Sequence, residues 1–283
     1  MARRLSTGCG PLVPARVTDV DDDGCGCLAA TGPVRAVAEP GLTPVAGDWA
    51  VLAGNALVAV LPRTSVVRRG RGADDVCGEV LAANVDLVLV VQTFSATLSP
   101  DRTERLLALA AASSATPVLV LSQIDRAPDG AVVRSVLADL AVLAESCPGT
   151  RVVGVSTLPD HPGVAGLHRL RALLPGSTPA AGLASPDGAA GAAAVVGPPG
   201  CGKSSLVDAL SGGAPRAGAG SALVPLPGGG ALVDTPSCSA DEPDWLAERY
   251  LSRLRATQRE RWRAGPHPRS QTRRRLRPLA GGA

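Results

Sequence analysis

In the stretch Gly197-Pro198-Pro199-Gly200-Cys201-Gly202-Lys203-Ser204-Ser205, the first eight residues fit the pattern G-x-x-x-x-G-K-[ST]. Glycines in that pattern let successive backbone N–H groups curl around phosphate oxygens, the lysine reaches the outer phosphates, and the serine hydroxyl is placed to ligate Mg²⁺. A helix following the loop would add its partial positive N-terminus. Lys203 is the one lysine among 28 basic residues; the other 27 are arginines. A compact ammonium is thus kept where a point charge must fit beside phosphate, and guanidinium serves everywhere else. The competing reading, a plain Gly-rich turn before a helix, accounts for the glycines but not for that choice of cation.

A second constellation lies 31 residues past Lys203, where the apolar run 231–233 ends in Asp234-Thr235-Pro236-Ser237. Asp234 can hold Mg²⁺ through water, and the backbone after it can sense a γ-phosphate. Ring-forming ATPases with similar glycine loops place two acids, Asp-Glu, after the corresponding strand; Asp-Thr-Pro is the GTPase form. A GTPase also needs a guanine reader, an aspartate whose two oxygens accept N1–H and N2–H. The 46 residues after Ser237 are basic and helical in pattern, with no strand to carry one. Upstream, the apolar run 118–121 delivers Ser122-Gln123-Ile124-Asp125, and the run 151–155 delivers Ser156-Thr157. Base reading therefore precedes phosphate reading, and the domain is expected to be circularly permuted.

These loops need an α/β scaffold. Residues 84–91 form a near-continuous apolar run with β-branched members, as in a strand buried on both faces of a parallel sheet. Helical patterns over 102–115, 130–146 and 164–174 alternate with strands over 117–121 and 151–155, and 192–196 feeds the phosphate loop. Residues 1–70 read instead as five short strands divided by Gly, Pro and Asn, which suits a small OB-like barrel. Trp49 is the sole aromatic there, so the usual base-stacking platform is missing and Trp49 is read as core. Cys25-Gly26-Cys27 is too closely spaced for zinc and is placed on one strand. Residues 68–75 read as a linker and 176–191 as a loop. The expected domains are a barrel over 1–70, the permuted GTPase domain over 71–240, and a helix with an Arg-rich tail over 241–283.

Charge is segregated. From Arg249 onward there are eleven arginines against one acid, Glu260, whereas residues 1–248 hold 17 basic and 24 acidic groups. A basic tail on an acidic body points to a polyanion such as RNA; the alternative is a solvated terminus. The seven scattered cysteines do not form a disulfide framework, and the apolar stretch 106–124 is broken by Ser113-Ser114 and Thr116-Pro117. A cytoplasmic protein without membrane contact is expected.

Several of these features occur together in one family. The barrel leader, the run Val80-Leu81-Ala82-Ala83-Asn84-Val85-Asp86, the base motif ahead of the phosphate loop, and Leu226-Pro227-Gly228-Gly229-Gly230 before Asp-Thr-Pro resemble the ribosome small-subunit-dependent GTPase A (RsgA) family. The resemblance covers about residues 14–250. It implies GTP hydrolysis to GDP and phosphate, late maturation of the 30S subunit, contact with its rRNA, and Mg²⁺ as cofactor on Ser204 and Asp234. It also implies nucleotide contacts from 197–205, from Ser122, Gln123 and Asp125, and from Ser156 and Thr157, with Lys203 and Asp234 as the catalytic pair. The protein is expected to act as a monomer.

The chain departs from that pattern in places. The family's Asn/Thr-Lys-x-Asp is Ser122-Gln123-Ile124-Asp125 here, and GTP affinity is expected to fall by about 1–2 kcal/mol through one or two lost hydrogen bonds. Ser156-Thr157 replaces Ser-Ala. Between Val207 and Val233 there is neither the Thr nor the His that would ligate Mg²⁺ and place the attacking water. Ser237 replaces a glycine. After Cys238 there is no cysteine and His267 is the one histidine, so no zinc is expected. Cys201, at a helix N-terminus beside Lys203, is either a low-pKa thiol whose oxidation blocks nucleotide or a small residue in a variable slot. His161 and His168 are read as surface residues. Two rivals stand beside the GTPase: a nucleotide- and rRNA-binding protein with little turnover, and a P-loop ATPase.

Overall fold

The structure, a computed structural model, describes residues 11–70, 78–95, 99–174, 191–214 and 220–238, together with 252. Cys9, Cys77, the segment 215–219, the helix expected after 241 with Trp245, Tyr250 and Trp262, and the arginine tail lie outside the described residues.

Five strands, β1 (Leu12–Asp21), β2 (Gly24–Ala29), β3 (Gly32–Ala38), β4 (Trp49–Ala53) and β5 (Ala56–Val60), close into a barrel in the order β1-β2-β3-β5-β4. Alternation drives closure: every second residue of β2, Cys25, Cys27 and Ala29, points inward against Ala15, Val17, Ala36, Ala50, Leu52 and Leu57. The interior of a five-stranded barrel is narrow, and Ala, Cys and Val fill it where Phe or Leu throughout would overpack. Burial holds the Cys27 thiol up at about 12, so this pair is inert. Trp49 is half-buried rather than core; the Arg16 guanidinium lies over its ring, 5.0 Å from the centroid.

Two elements follow that the sequence reading did not anticipate. β6 (Val66–Arg69) pairs antiparallel with β7 (Glu79–Ala83), so Arg68 and Arg69, expected in a linker, end a strand. Asn84, expected to begin a strand, adopts a left-handed conformation with φ 54°. Its side-chain Oδ1 accepts from the Thr64 N–H at 2.9 Å, its Nδ2 donates to the Gly47 carbonyl at 3.1 Å, and its own carbonyl accepts from Arg16 at 2.9 Å. Asn is among the few non-glycine residues that tolerate this region. Asn84 thereby becomes the joint between barrel and sheet.

The sheet runs β10-β9-β8-β11-β13-β12, from β8 (Leu87–Thr93), β9 (Thr116–Ser122), β10 (Arg151–Gly154), β11 (Ala192–Val196), β12 (Ala222–Pro225) and β13 (Ala231–Asp234). All neighbours are parallel except β12 and β13. Helices α1 (Pro100–Ala112) and α2 (Gly130–Ala144) contribute Leu106, Leu107 and Leu140 to the core on one face. On the other face, α3 (Val164–Leu173) and α4 (Lys203–Ser211) contribute Leu167, Leu170, Leu206 and Leu210. The central strands are therefore apolar throughout instead of alternating. α2 starts where it does because Asp129 Oδ1 accepts from the N–H groups of Ala131 and Val132 at 2.7 and 2.9 Å.

β11, which feeds the phosphate loop, sits between β8 and β13 although it comes after β8–β10 in sequence. The permutation expected from motif order is thus visible as strand order.

Candidate nucleotide site

Ligands of open parallel sheets bind beyond the carboxyl ends of the strands, and the loops after β8, β9, β10, β11 and β13 meet there. Gly197 leaves β11 in a tight place: a Cβ would stand 2.5 Å from the Val91 carbonyl oxygen and 2.8 Å from Cys201 Sγ. Gly202, with φ 87°, turns the loop into α4 through a conformation that a side chain resists. A cavity of about 670 Å³ opens over the loop, lined by Gly200, Gly202, Lys203, Ser204, Ser205, Asp234 and Gln123 among others. Pro198 is half-buried and Pro199 is exposed on the outer turn.

Lys203 is buried, and its Nζ donates to the Gly197 carbonyl at 2.9 Å, the Pro198 carbonyl at 3.2 Å and Ser237 Oγ at 3.0 Å. Its three protons are all engaged, one of them by Ser237 of the cavity lining. Asp234 ends β13 and faces the same cavity as the exposed Ser204. The next residue, Thr235, is fastened back to the sheet, its hydroxyl donating to the Val195 carbonyl at 2.7 Å. Ser237 keeps a negative φ, so the missing glycine creates no backbone strain there. Among the described residues no group of three or more His, Cys, Asp or Glu is gathered for a metal. One hydroxyl and one carboxylate suit a hard cation that takes its remaining ligands from phosphates and water, as Mg²⁺ does.

The base-reading residues lie on the adjacent loops. Ser122 is buried under the phosphate loop, its hydroxyl 2.6 Å from the Cys201 carbonyl. Gln123 takes a left-handed conformation, φ 56°, which throws its side chain across the loop. There its Nε2 donates to the Gly200 carbonyl at 3.3 Å while its Oε1 accepts from the Thr93 hydroxyl at 3.0 Å. Asp125 follows in a single 3₁₀ turn (Ile124–Arg126) and accepts from the Ser156 hydroxyl at 2.6 Å. Thr157 is exposed beside them. Gln123 therefore stands in the cavity lining between the phosphate loop and the Asp125–Ser156 pair, which lies outside that lining.

Thr93 and Arg69 had no signal in the sequence, because each acts through a distant partner that spacing does not reveal; Thr235 was marked by the Asp-Thr-Pro motif, but its bond to the Val195 carbonyl was not. Of the two readings of Cys201, the small residue in a variable slot fits the structure and the low-pKa thiol does not. Its side chain is 1% exposed, and desolvation, outweighing the nearby Lys203 and backbone N–H groups, pushes the thiol above its ordinary value. It is a small buried packing residue. Of the two histidines, His168 is exposed on α3, and His161 is half-buried with its Nδ1 accepting from the Gly163 N–H at 3.0 Å.

Barrel, permuted strand order and phosphate loop together define a circularly permuted P-loop GTPase domain behind a small β-barrel. The chain is a relative of the RsgA GTPases: the family model described as "RsgA GTPase" matches residues 60–160. It is 32% identical over 249 positions to the "Small ribosomal subunit biogenesis GTPase RsgA" of Streptomyces coelicolor, covering 80% of this chain and 62% of that protein. It is 34% identical over 208 positions to the protein of the same name from Xylella fastidiosa, covering 68% of this chain and 55% of that one. The chain thus spans less than two thirds of the length of these relatives. Among solved structures, it superposes on YjeQ from Thermotoga maritima with a TM-score of 0.60 at 18% identity, covering 88% and 99% of the two chains. It superposes on YloQ, described as a circularly permuted GTPase, with a TM-score of 0.57 at 14% identity, covering 94% and 100%. No described helix is long and apolar enough to cross a membrane.

Proposed function

We propose that this protein binds GTP in the cavity over residues 197–205, hydrolyses it to GDP and phosphate, and does so in assembly of the small ribosomal subunit. One observation carries the reading: the base loop is bonded onto the phosphate loop, Ser122 to the Cys201 carbonyl and Gln123 to the Gly200 carbonyl, so the two half-sites form one unit. In the nucleotide complex, Asp125 accepts guanine N1–H and N2–H, and the Gln123 stem lies along the purine. The loop amides hold the β-phosphate, and Lys203 exchanges its carbonyl and Ser237 partners for phosphate oxygens. Ser204 and Asp234 would hold Mg²⁺, which when bound neutralises charge developing between the β- and γ-phosphates. The named activity of the relatives and the basic segment after Arg249 support a subunit partner reached through rRNA phosphates. A cytoplasmic, monomeric protein fits that role.

The test is phosphate release from GTP with and without purified 30S subunits. The expected result is turnover that rises on adding 30S and vanishes in Lys203→Ala. Absence of any rise above the Lys203→Ala background contradicts the enzyme. It would favour the second reading, a nucleotide- and rRNA-binding protein with little turnover, which rests on the lack of Thr and His between Val207 and Val233.

A further inference from the structure

Arg69 ends β6, on the strand pair through which the chain leaves the barrel, 134 residues before Lys203 and outside every motif of the site. Its guanidinium is held on one side by Glu79 of β7, with Nη2 2.5 Å from Oε2. The two residues are cross-strand partners in the β6–β7 register. On the other side, Nη1 donates to the Ser237 carbonyl at 2.6 Å. Ser237 belongs to the segment that follows Asp234, and its hydroxyl accepts from Lys203.

The peptide group joining Ser237 to Cys238 is therefore fixed at both ends. Its C=O is taken by Arg69, and its N–H donates to the Gly197 carbonyl, the first residue of the phosphate loop, at 3.0 Å. Such a peptide cannot rotate without breaking a charge-assisted hydrogen bond and a bond to the loop. Glu79 keeps the guanidinium on station, and a bidentate fork does this in a way that a single ammonium cannot.

We propose that Arg69 is a positioning residue for the γ-phosphate: it sets the segment 235–238 against the phosphate loop and so ties recognition of the third phosphate to the strand pair leaving the barrel. This rests on the guanine-nucleotide reading of the same cavity. The β-phosphate is held by loop amides and Lys203, none of which Arg69 touches directly. The γ-phosphate meets the segment whose backbone Arg69 fixes.

The test is calorimetric titration of the full chain with GDP and with a non-hydrolysable imido analogue of GTP. Arg69→Ala and Arg69→Met are compared with wild type, the Met variant keeping the packed stem and removing only the donors. Both variants are expected to bind the triphosphate analogue about tenfold more weakly than wild type and GDP within twofold of it. Arg69→Lys, which restores one donor, should recover part of the loss. A purely structural role would weaken both nucleotides together and lower the melting temperature in proportion. Equal loss for both, or no loss for either, overturns the inference while leaving the guanine site standing. Wild-type protein that binds neither nucleotide overturns the guanine-site reading and this inference with it.

Discussion

Ser156 donates its hydroxyl to the Asp125 carboxylate across 2.6 Å, linking the loop after β10 to the loop after β9. Ser156 is fully buried, and the Leu158 N–H donates to its oxygen at 3.2 Å, so the hydroxyl is locally held. One carboxylate oxygen is thereby oriented before any base arrives. Ser156→Ala should weaken guanine nucleotide binding by about 1 kcal/mol, roughly fivefold, less than the full worth of a hydrogen bond to a carboxylate because Ser156 acts on the base only through Asp125. Asp125→Ala should abolish the preference for guanine over adenine. Fluorescent-nucleotide titration of both variants checks this; equal loss of guanine and adenine affinity in Asp125→Ala would count against the assignment.

Gln123 bridges Thr93 and Gly200 from a left-handed backbone. Gln123→Lys keeps a donor for the Gly200 carbonyl, lengthens the stem beneath the purine and adds a charge near the phosphates. GTP affinity should rise by about 1 kcal/mol at low salt. The same titration at two ionic strengths reads it, and an unchanged affinity would mean that the purine does not lie along this side chain.

The joint between barrel and sheet is a stability determinant. Asn84→Ala strands the Thr64 N–H and the Gly47 carbonyl, both tied to the Asn84 side chain, and places Ala at φ 54°. A loss of about 2–3 kcal/mol follows from two unsatisfied groups and the strained backbone. Urea unfolding followed by Trp49 fluorescence, with Trp245 and Trp262 replaced by Phe, and by circular dichroism should show the midpoint falling in both signals, since Asn84 serves both halves.

Much of this molecule could be read from its residues. The phosphate loop, the Asp-Thr-Pro ending and the reversed order of base and phosphate motifs are local signals, each confined to a few adjacent residues. The parallel sheet announced itself because strands buried on both faces must be apolar throughout, as in 118–121 and 192–196. What escaped depended on distant partners. The run through Asn84 reads as strand because Val85 and the residues after Asp86 are apolar, and a positive φ leaves no mark on composition. β6 and β7 are short, and the polar glycine-rich residues between them resemble a linker, which hid Arg69. Sequence left Cys201 open between an activated thiol and a small packing residue, and its burial decides for packing.

That burial has a pH consequence. Folding raises the Cys201 thiol above its ordinary 9.0, so the folded state holds this proton more tightly than the unfolded chain. Its contribution to stability is complete below about pH 9 and is lost as the pH rises beyond it. Iodoacetamide at pH 8 should leave Cys201 unmodified in native protein and label it in urea, as read by peptide mass spectrometry. Rapid native labelling would favour the activated thiol over the packing residue.

The most direct test of the permuted guanine site is displacement of a labelled GDP from the wild-type chain by unlabelled GTP and by ATP. GTP should displace it at concentrations at least a hundredfold below those needed of ATP, since a bidentate aspartate contact is unavailable to adenine. Equal displacement by the two nucleotides would contradict the account, because Asp125 and the phosphate loop would then not belong to one guanine-reading site.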